Sequence, residues 1–579
     1  MGSPSVDYNN GSVSTTVNQP ANAFDGNLET YYASYARSYT WVGLDLATPH
    51  VITRVGWSPR NDGKGPERVK LGIIEGANRA DFLDAVPLYV IDQAGVIGQM
   101  HYADVHVSKG FRYVRYVGPN DARCNIAELA FYGQPGEGDE TQFYLPSGLP
   151  LVVINTVDAV EPYDKVNDIG CYVRIINTDH SFVMDSATTR LRGNASTQFP
   201  KKPYRIKLGS KAALLGMNKS KHFALLAHAD DNLGFYRNTL GFEFSRLMGM
   251  PYTPAQEPVE VVLNGNYIGL YFLTETVRID EDRVNIVEQE DYATDASEIT
   301  GGWLVEIDNY DEAEQVRITE GNGVTMRFTY KTPELLSAEQ RRFLSDQMNA
   351  IDDAIYLSDK SSTDWEELVD MDRLVRFYIV QEIMQNAESF HGSCYMHRDR
   401  GEDQKWMFGP VWDFGNSFHN GENRFIYINS PFGNHWIEEF AKFPRFQEHV
   451  KMVWNKFYRE EVASIDAFMT EFADKIAVAA ACDYARWPQY GNADIYAKKS
   501  EMKKNIDGRI EWLHGHWVDN SVTHVGVSEF EAYAIDGGIV APENAEIYNL
   551  SGCKVSADNL PAGVYIVRLG SQARKILVR

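Results

Sequence analysis

Residues 133–141 read Gly-Gln-Pro-Gly-Glu-Gly-Asp-Glu-Thr, and the hydrophobic texture of the chain changes across them. A Gly/Pro-rich acidic stretch has the composition of a linker. The shift on either side means that no single layer architecture accounts for the chain. Before the stretch, short β-like runs such as Trp41-Val-Gly-Leu-Asp-Leu46, Val51-Ile-Thr-Arg-Val-Gly-Trp57 and Phe111-Arg-Tyr-Val-Arg-Tyr-Val117 are broken by Gly, Asn, Asp and Pro. Strands at this spacing with no helical period predict an all-β sandwich over residues 1–134. After it come strand-like segments (151–155, 204–208, 258–263, 267–274, 302–308) and then helical patterns (337–355, 371–384). Strands first and helices afterwards predict an α+β unit over 142–520. From 521 to 579 short alternating strands return around the turns Asn549-Leu-Ser-Gly552 and Leu560-Pro-Ala-Gly563, predicting a small β-sandwich.

Composition narrows the function. The net charge of −25 repels phosphate backbones and acidic lipids, which argues against nucleic acid or a membrane surface as a general partner. No window holds the ~18 uninterrupted apolar residues of a membrane helix. The five cysteines (Cys124, Cys171, Cys394, Cys482, Cys553) are odd in number and never form a CxxC pair, so neither a disulfide framework nor a zinc knuckle is expected. The opening Met1-Gly2-Ser3 runs into polar sequence with no charged-then-apolar leader; it reads as an added start replacing a removed segment, or as a natural cytosolic one.

Four clusters carry chemistry. Asp25, Asn27 and Thr30 fall within six residues around Gly26, oxygen donors at a density that suits a hard cation such as Ca²⁺ and equally an Asx-type turn. The window Arg190–Leu208 holds six basic residues and no acidic one. Its small polar loop followed by alternating Arg205 and Lys207 would present N–H groups and positive charge to a polyanion, or would form a solvated basic strand edge. Its spacing is not that of a Walker loop. The run Asn386-Ala-Glu-Ser-Phe-His-Gly-Ser-Cys-Tyr395 places a carboxylate five residues before a polar side chain, as a base and a metal ligand on one loop would be. In Phe408-Gly-Pro-Val-Trp-Asp-Phe-Gly-Asn-Ser-Phe418, Asp413 sits among aromatics and glycines, where an isolated carboxylate is costly unless paired or metal-bound. Trp365, Trp412, Trp436 and Trp454 read as core.

The first block resembles the coagulation-factor discoidin-type domain, through Phe24-Asp-Gly-Asn-Leu-Glu-Thr-Tyr-Tyr32, Trp41–Leu46, Ile52–Arg60 and Asn125-Ile-Ala-Glu-Leu-Ala-Phe131. That resemblance implies a jelly-roll sandwich, a structural Ca²⁺ near Asp25, Asn27, Thr30 and Glu128, and glycan binding. Tyr35, Tyr39, Trp57 and Arg60 are then the candidates for sugar contacts, against the plainer reading of sandwich aromatics as core. The central block resembles the CotH spore-coat kinase family over roughly 150–420. The match runs through Arg192-Gly-Asn-Ala-Ser196, Pro200-Lys-Lys202, Tyr204-Arg-Ile-Lys207, Asp231 with Phe235-Tyr-Arg-Asn238, Leu263–Glu275, Asp372 with Phe377–Glu382, Asn386 and Gly409-Pro-Val-Trp-Asp413. It implies that Lys202 or Lys207 holds nucleotide phosphates beside Arg192, that Glu388 is the base, and that Asp413 binds Mg²⁺ or Mn²⁺ with ATP. Glu275 either pairs with the phosphate lysine or caps the following segment. Two positions depart from the family's active kinases: Glu388 stands for Asp, and Ser393 for the Asn that is the second metal ligand. The last block resembles a type IX secretion sorting tail through Ile547–Gly552, Leu560–Leu569 and Lys575–Arg579, which implies export.

The reading is thus a multidomain, exported or surface protein: an all-β jelly-roll sandwich, an α+β atypical kinase-like domain and a small β-sandwich. Its function is transfer of the ATP γ-phosphoryl group to a hydroxyl on a protein or other acceptor, targeted by a glycan or surface polysaccharide. The alternative is a non-catalytic carbohydrate-binding surface protein on a degenerate kinase-like scaffold.

Overall fold

The computed structural model describes residues 1–419, 423–428, 435–491, 494–518, 532–535, 538–542, 544–549, 552–569 and 572–578. The turn residues Leu550 and Ser551, the terminal Arg579 and the boundary at 521 lie outside them.

The N-terminal block is an antiparallel, jelly-roll-like domain. Its main sheet runs Val86–Val90, Ile73–Ala77, Gly110–Val117, Trp41–Ser58, His101–Asp104, with Glu128–Pro135 also paired to Trp41–Ser58. Two short strands were expected where one 18-residue strand runs; the register shifts between Asp45 and His50, so the turn-like Ala47–Pro49 stretch bends the strand without ending it. Val42, Val55, Ile74, Leu88, Val114 and Ile126 fill the core.

The central block begins as a closed seven-stranded barrel of Leu151–Thr156, Ile169–Ile176, Phe182–Leu191, Tyr204–Ala212, Ser220–Leu226, Gln256–Leu263 and Asn266–Glu275. The parallel pairing of Gln256–Leu263 with Leu151–Thr156 closes it. Side chains alternate across each strand. Tyr204, Ile206 and Leu208 therefore enter the core, while Arg205 and Lys207 face outward. Helix Tyr236–Leu247 lies between the fifth and sixth of these strands in sequence. A five-stranded antiparallel sheet follows, in the order Gln315–Thr319, Thr325–Thr332, Trp303–Ile307, Cys394–Arg398, Met407–Phe408. Its last two strands come after helices Ala338–Ile355 and Met371–Ile383, so strands do not simply precede helices. Ser337 and Gln340 close a capping box on the first helix, and Asp370 caps the second. Helices Pro444–Glu460, Ile465–Arg486 and Ile495–Trp517 complete the block.

Residues 133–141 do not act as a free linker. Gly133–Pro135 end a sandwich strand, and Glu140 pairs with Arg174 of the barrel at 3.0 Å and with Lys109 of the sandwich. Beyond them Ile73 and Val90 of the sandwich share an apolar cluster with Leu151, Val153, Val262 and Tyr267 of the barrel. Asn155 donates to the carbonyls of Leu83 and Ala85 at 3.3 and 3.0 Å. Among the described residues no helix is long and apolar enough to cross a membrane.

The C-terminal unit, His514–Arg579, contains a hairpin (Tyr533–Ile535 with Gly538–Val540). Beside it is a four-stranded sheet ordered Lys554–Val555, Glu546–Asn549, Gly563–Leu569, Gln572–Val578. Ile547, Tyr565, Val567, Ile576 and Val578 form its core.

Candidate active site

A cleft of about 440 Å³ is lined by the Arg192–Ser196 loop at the end of the barrel, by the turn at Asp230, by the Glu306–Tyr310 strand end, and by the two loops carrying Glu388 and Asp413. Three local features place Asp413. Its backbone is left-handed (φ 57°), a conformation Asp tolerates, and its Oδ1 accepts the Gly415 N–H at 3.1 Å. Its carbonyl accepts the amide of Asn386, at 3.1 Å, and the next N–H, of Phe414, donates to Asn238 at 3.0 Å. Phe414 itself lies against Gly241 of helix Tyr236–Leu247; a Cβ there would come within 2.2 Å of the ring.

Asp413 Oδ1 and Asp230 Oδ2 lie 3.2 and 3.3 Å from the point a Cβ on Gly415 would occupy, so the two carboxylates converge over one glycine. Both open onto the cleft, yet protein surrounds them on most sides. Burial raises the Asp413 carboxyl above its ordinary range, Asp230 adds to this, and Arg192 opposes it. Burial likewise raises Asp230, with Asp231 adding to it. Glu388 is half-buried at the head of a turn whose His391 and Gly392 N–H groups donate to its carbonyl at 2.8 and 2.9 Å. Its Oε1 accepts the Asn309 amide at 3.1 Å, and its Oε2 accepts the Asn416 amide. Burial and then Asp413 raise its carboxyl, while the two amides oppose the shift. Ser393 lines the same cleft five residues on.

The positive side is sparse. The Arg192 guanidinium stands 5.1 Å from the Trp412 ring centroid, with no carboxylate within ion-pair distance among the described residues. Trp412 is thus core on one face and a platform on the other. Lys331 reaches the cleft but is paired with Glu306 at 2.8 Å. Lys201 is fully buried at the inner wall, bound to Asp483 at 2.8 Å and to the Leu270 carbonyl at 2.7 Å.

Of the predicted residues, Glu388, Asp413, Ser393 and Arg192 meet here. Lys202, Lys207 and Glu275 do not. Lys202 donates to the Thr197 carbonyl at 2.6 Å, and Lys207 points off the outer face of the barrel because its strand alternates. Glu275 is fully buried, accepting the Asn218 and Ala255 N–H groups and the Tyr252 hydroxyl at 2.9–3.2 Å. The missed residues are Asp230, Asn309, Asn416 and the Lys331–Glu306 pair. Asp230 adjoins Asp231, whose carboxylate caps the start of helix Tyr236–Leu247, and Asn416 lies inside the Phe408–Phe418 run. Asn309 and Lys331 reach the cleft only through the sheet topology.

In the sandwich, Asp25, Asn27, Thr30 and Glu128 do assemble. Asp25 accepts the Thr30 hydroxyl (2.7 Å) and the Asn27 N–H (2.9 Å), and Glu128 accepts the Gly26 N–H (3.0 Å). Burial, with Asp25 adding to it, raises the Glu128 carboxyl, the electrostatics a cation would relieve. Among the described residues no group of three His, Cys, Asp or Glu side chains is arranged to hold a metal. Trp57 is core, 6% exposed and packed on Tyr89 and His101, so it is no sugar platform. Tyr39 is exposed, and burial of its hydroxyl end beside Glu161 of the barrel raises the phenol. Tyr35 is exposed and its carbonyl accepts from Arg123, whose guanidinium lies 6.0 Å from the ring of exposed Tyr8; the Arg60 guanidinium lies 3.8 Å from the Tyr31 ring and 5.1 Å from that of Tyr8. Tyr31 lies in the Phe24–Tyr32 run, whereas Tyr8 carried no signal in the sequence beyond its being aromatic.

A family model described as "CotH kinase protein" matches residues 189–516. Among solved structures, the chain is similar over its N-terminal part to CBM62 from Clostridium thermocellum Xyl5A: 38% identity, 23% of this chain and 93% of that one, TM-score 0.21. It is also similar to the F5/8 type C domain of a Bacteroides fragilis protein, at 14% identity over 24% and 92% of the two chains with a TM-score of 0.20. A third is a Streptococcus pneumoniae fucose binding module, at 18% identity over 22% and 86% with a TM-score of 0.17. No curated protein matches the chain.

Proposed function

The chain belongs to the CotH kinase protein family, and from that premise we propose that its cleft transfers the γ-phosphoryl group of ATP to a hydroxyl acceptor. The observation that carries this reading is the convergence of Glu388, Asp413 and Asp230 in one cleft. Asp413, with Asp230 across Gly415, would hold Mg²⁺ or Mn²⁺. When bound, the cation supplies charge neutralisation on the phosphate oxygens. Arg192 meets a phosphate oxygen from the loop side. Glu388, oriented by Asn309 and Asn416, accepts the acceptor's proton as its oxygen attacks the γ-phosphorus. The bond from phosphorus to the bridging oxygen breaks, and ADP carries away that electron pair.

The sandwich, with exposed Tyr8 beside the Arg60–Tyr31 stack and with exposed Tyr35, would bind a glycan, with Ca²⁺ at the Asp25 turn, on a protein exported to the cell surface. The second reading is a non-catalytic glycan-binding scaffold. It is favoured by the position of Lys202 and Lys207 outside the cleft, which leaves Arg192, Lys165 (bound to the Asn194 amide oxygen at 2.6 Å) and the cation to meet the triphosphate.

Calorimetric titration with ATP plus Mg²⁺ or Mn²⁺, repeated on Asp413→Ala with transfer of radiolabelled γ-phosphate in parallel, separates the readings. Metal-dependent binding and transfer, both lost in the variant, support the enzyme. No binding with either metal leaves the scaffold reading.

A further inference from the structure

Away from the cleft, the seam between sandwich and barrel opens into a second cavity of about 450 Å³, within the range of small-ligand sites. The sandwich contributes Lys64 and Lys70, and helix Ile465–Arg486 contributes Arg486. None of the three has a carboxylate within ion-pair distance among the described residues. Arg68 is there too, but is drawn to Asp62 at 3.4 Å. The lining acids are Glu67 and Asp121, and Asp121 leans toward Arg37 at 3.6 Å. Four cations against two lining acids leave the concavity net positive in a chain whose net charge is −25, with Asp483 and Glu161 acting on Arg486 from beyond ion-pair distance. An excess of positive charge in a concavity raises the local potential and favours an anion.

Arg486 is aimed. Its Nε–H donates to the Tyr267 carbonyl at 3.3 Å, and its guanidinium lies 4.0 Å from the Trp487 ring centroid. Leu71, Pro119 and Ala122 give the same cavity an apolar wall. A free inorganic anion would use the charges and leave that wall idle. A sugar acid uses both: its carboxylate or sulfate meets the guanidinium and ammonium groups, and the C–H face of its ring lies on the apolar wall.

We infer that this seam cavity binds an acidic oligosaccharide, holding it against sandwich and barrel together. The site borders the Tyr8–Arg60 face, because Arg60 and Arg68 share Asp62 at 3.1 and 3.4 Å, and it does not depend on the phosphotransfer reading.

The test is calorimetry on the full chain at low salt. The probes are a trigalacturonate, a sulfated trisaccharide, neutral xylotriose, sodium sulfate and a pentaglutamate peptide. Among the described residues the side chains of Lys64 and Lys70 make no hydrogen bond, so Lys64→Gln/Lys70→Gln is expected to melt as the wild type does. It should lose at least tenfold in affinity for an acidic trisaccharide, as should raising the salt. Arg486→Lys should weaken binding by removing the two-pronged contact, and Tyr8→Ala on the other face should leave it unchanged. Xylotriose should not compete. The inference is overturned by binding of neither acidic trisaccharide, or by full affinity in the double lysine variant. Loss of binding in Tyr8→Ala, or equal affinity for sulfate or pentaglutamate, also overturns it.

Discussion

Glu388 is one methylene longer than the Asp that the family resemblance leads one to expect, and its oxygens are tied back by Asn309 and Asn416. Those amides fix where the longer carboxylate points, which is what a base needs. Glu388→Gln is expected to lower phosphotransfer by about 10²–10⁴-fold while calorimetry returns an unchanged affinity for ATP with Mg²⁺. A parallel loss of affinity would move Glu388 from proton acceptor to cation holder. Because burial and Asp413 raise its carboxyl, and the base works only deprotonated, activity should rise with pH along an acid limb lying above the ordinary Glu value of 4.5. A pH–rate profile in Mn²⁺ checks this. Lys202 and Lys207 show why the positive side of the site was misread. Charge and motif were visible, but the face a strand residue takes follows from which neighbours are buried. Alternation turns Lys207 outward once Ile206 and Leu208 are core.

Helices set the site at the next scale. Helix Tyr236–Leu247 presents Gly241 to the Phe414 ring, and a methyl group there forces Phe414, and Asp413 with it, to move. Gly241→Ala should cost roughly 1–3 kcal/mol of stability by overpacking and should weaken Mn²⁺–ATP binding, both readable from thermal melts with and without ligand. A melt that falls without any change in ligand-induced shift would confine Gly241 to packing. Further out, Glu382 of helix Met371–Ile383 and Arg509 of helix Ile495–Trp517 form a fully buried pair, and burial pushes the Glu382 carboxyl up to about 7 despite the arginine. Its folded-state value exceeds the ordinary 4.5, so the stability it contributes is complete below pH 4.5 and is lost as pH rises through 7. The melting temperature of wild type minus that of Glu382→Gln should therefore fall between pH 5 and pH 8. Most of these elements were legible: the runs 151–155, 204–208, 337–355 and 371–384 coincide with real strands and helices to within a few residues. The late strands Cys394–Arg398 and Met407–Phe408 were not, because short strands on a partly open sheet alternate weakly and the pairing of Cys394–Arg398 with Trp303–Ile307, on which Met407–Phe408 then adds, is non-local.

At the scale of the whole molecule, the acidic Gly/Pro segment looked like a hinge by composition, while the residues that make it a joint, Ile73 and Val90 against Val262 and Tyr267, are far apart in sequence and individually ordinary. A chain beginning at residue 142 should expose that apolar face. It is expected to bind more of a hydrophobic dye and to melt below the full chain. Equal melting temperatures and equal dye binding would make the seam a mere contact. The shared core also bears on reach. A flexible tether lets a catalytic unit sweep a volume around its anchor, with effective concentration falling smoothly with distance. A fused core works as a ruler. If the sandwich grips a polymer and the cleft transfers phosphate as proposed, the cleft would visit one distance and one bearing from the grip, so hydroxyls at that offset would be marked and their neighbours passed over. On a regular polysaccharide or protein array the marks would then be spaced by the protein's own dimensions.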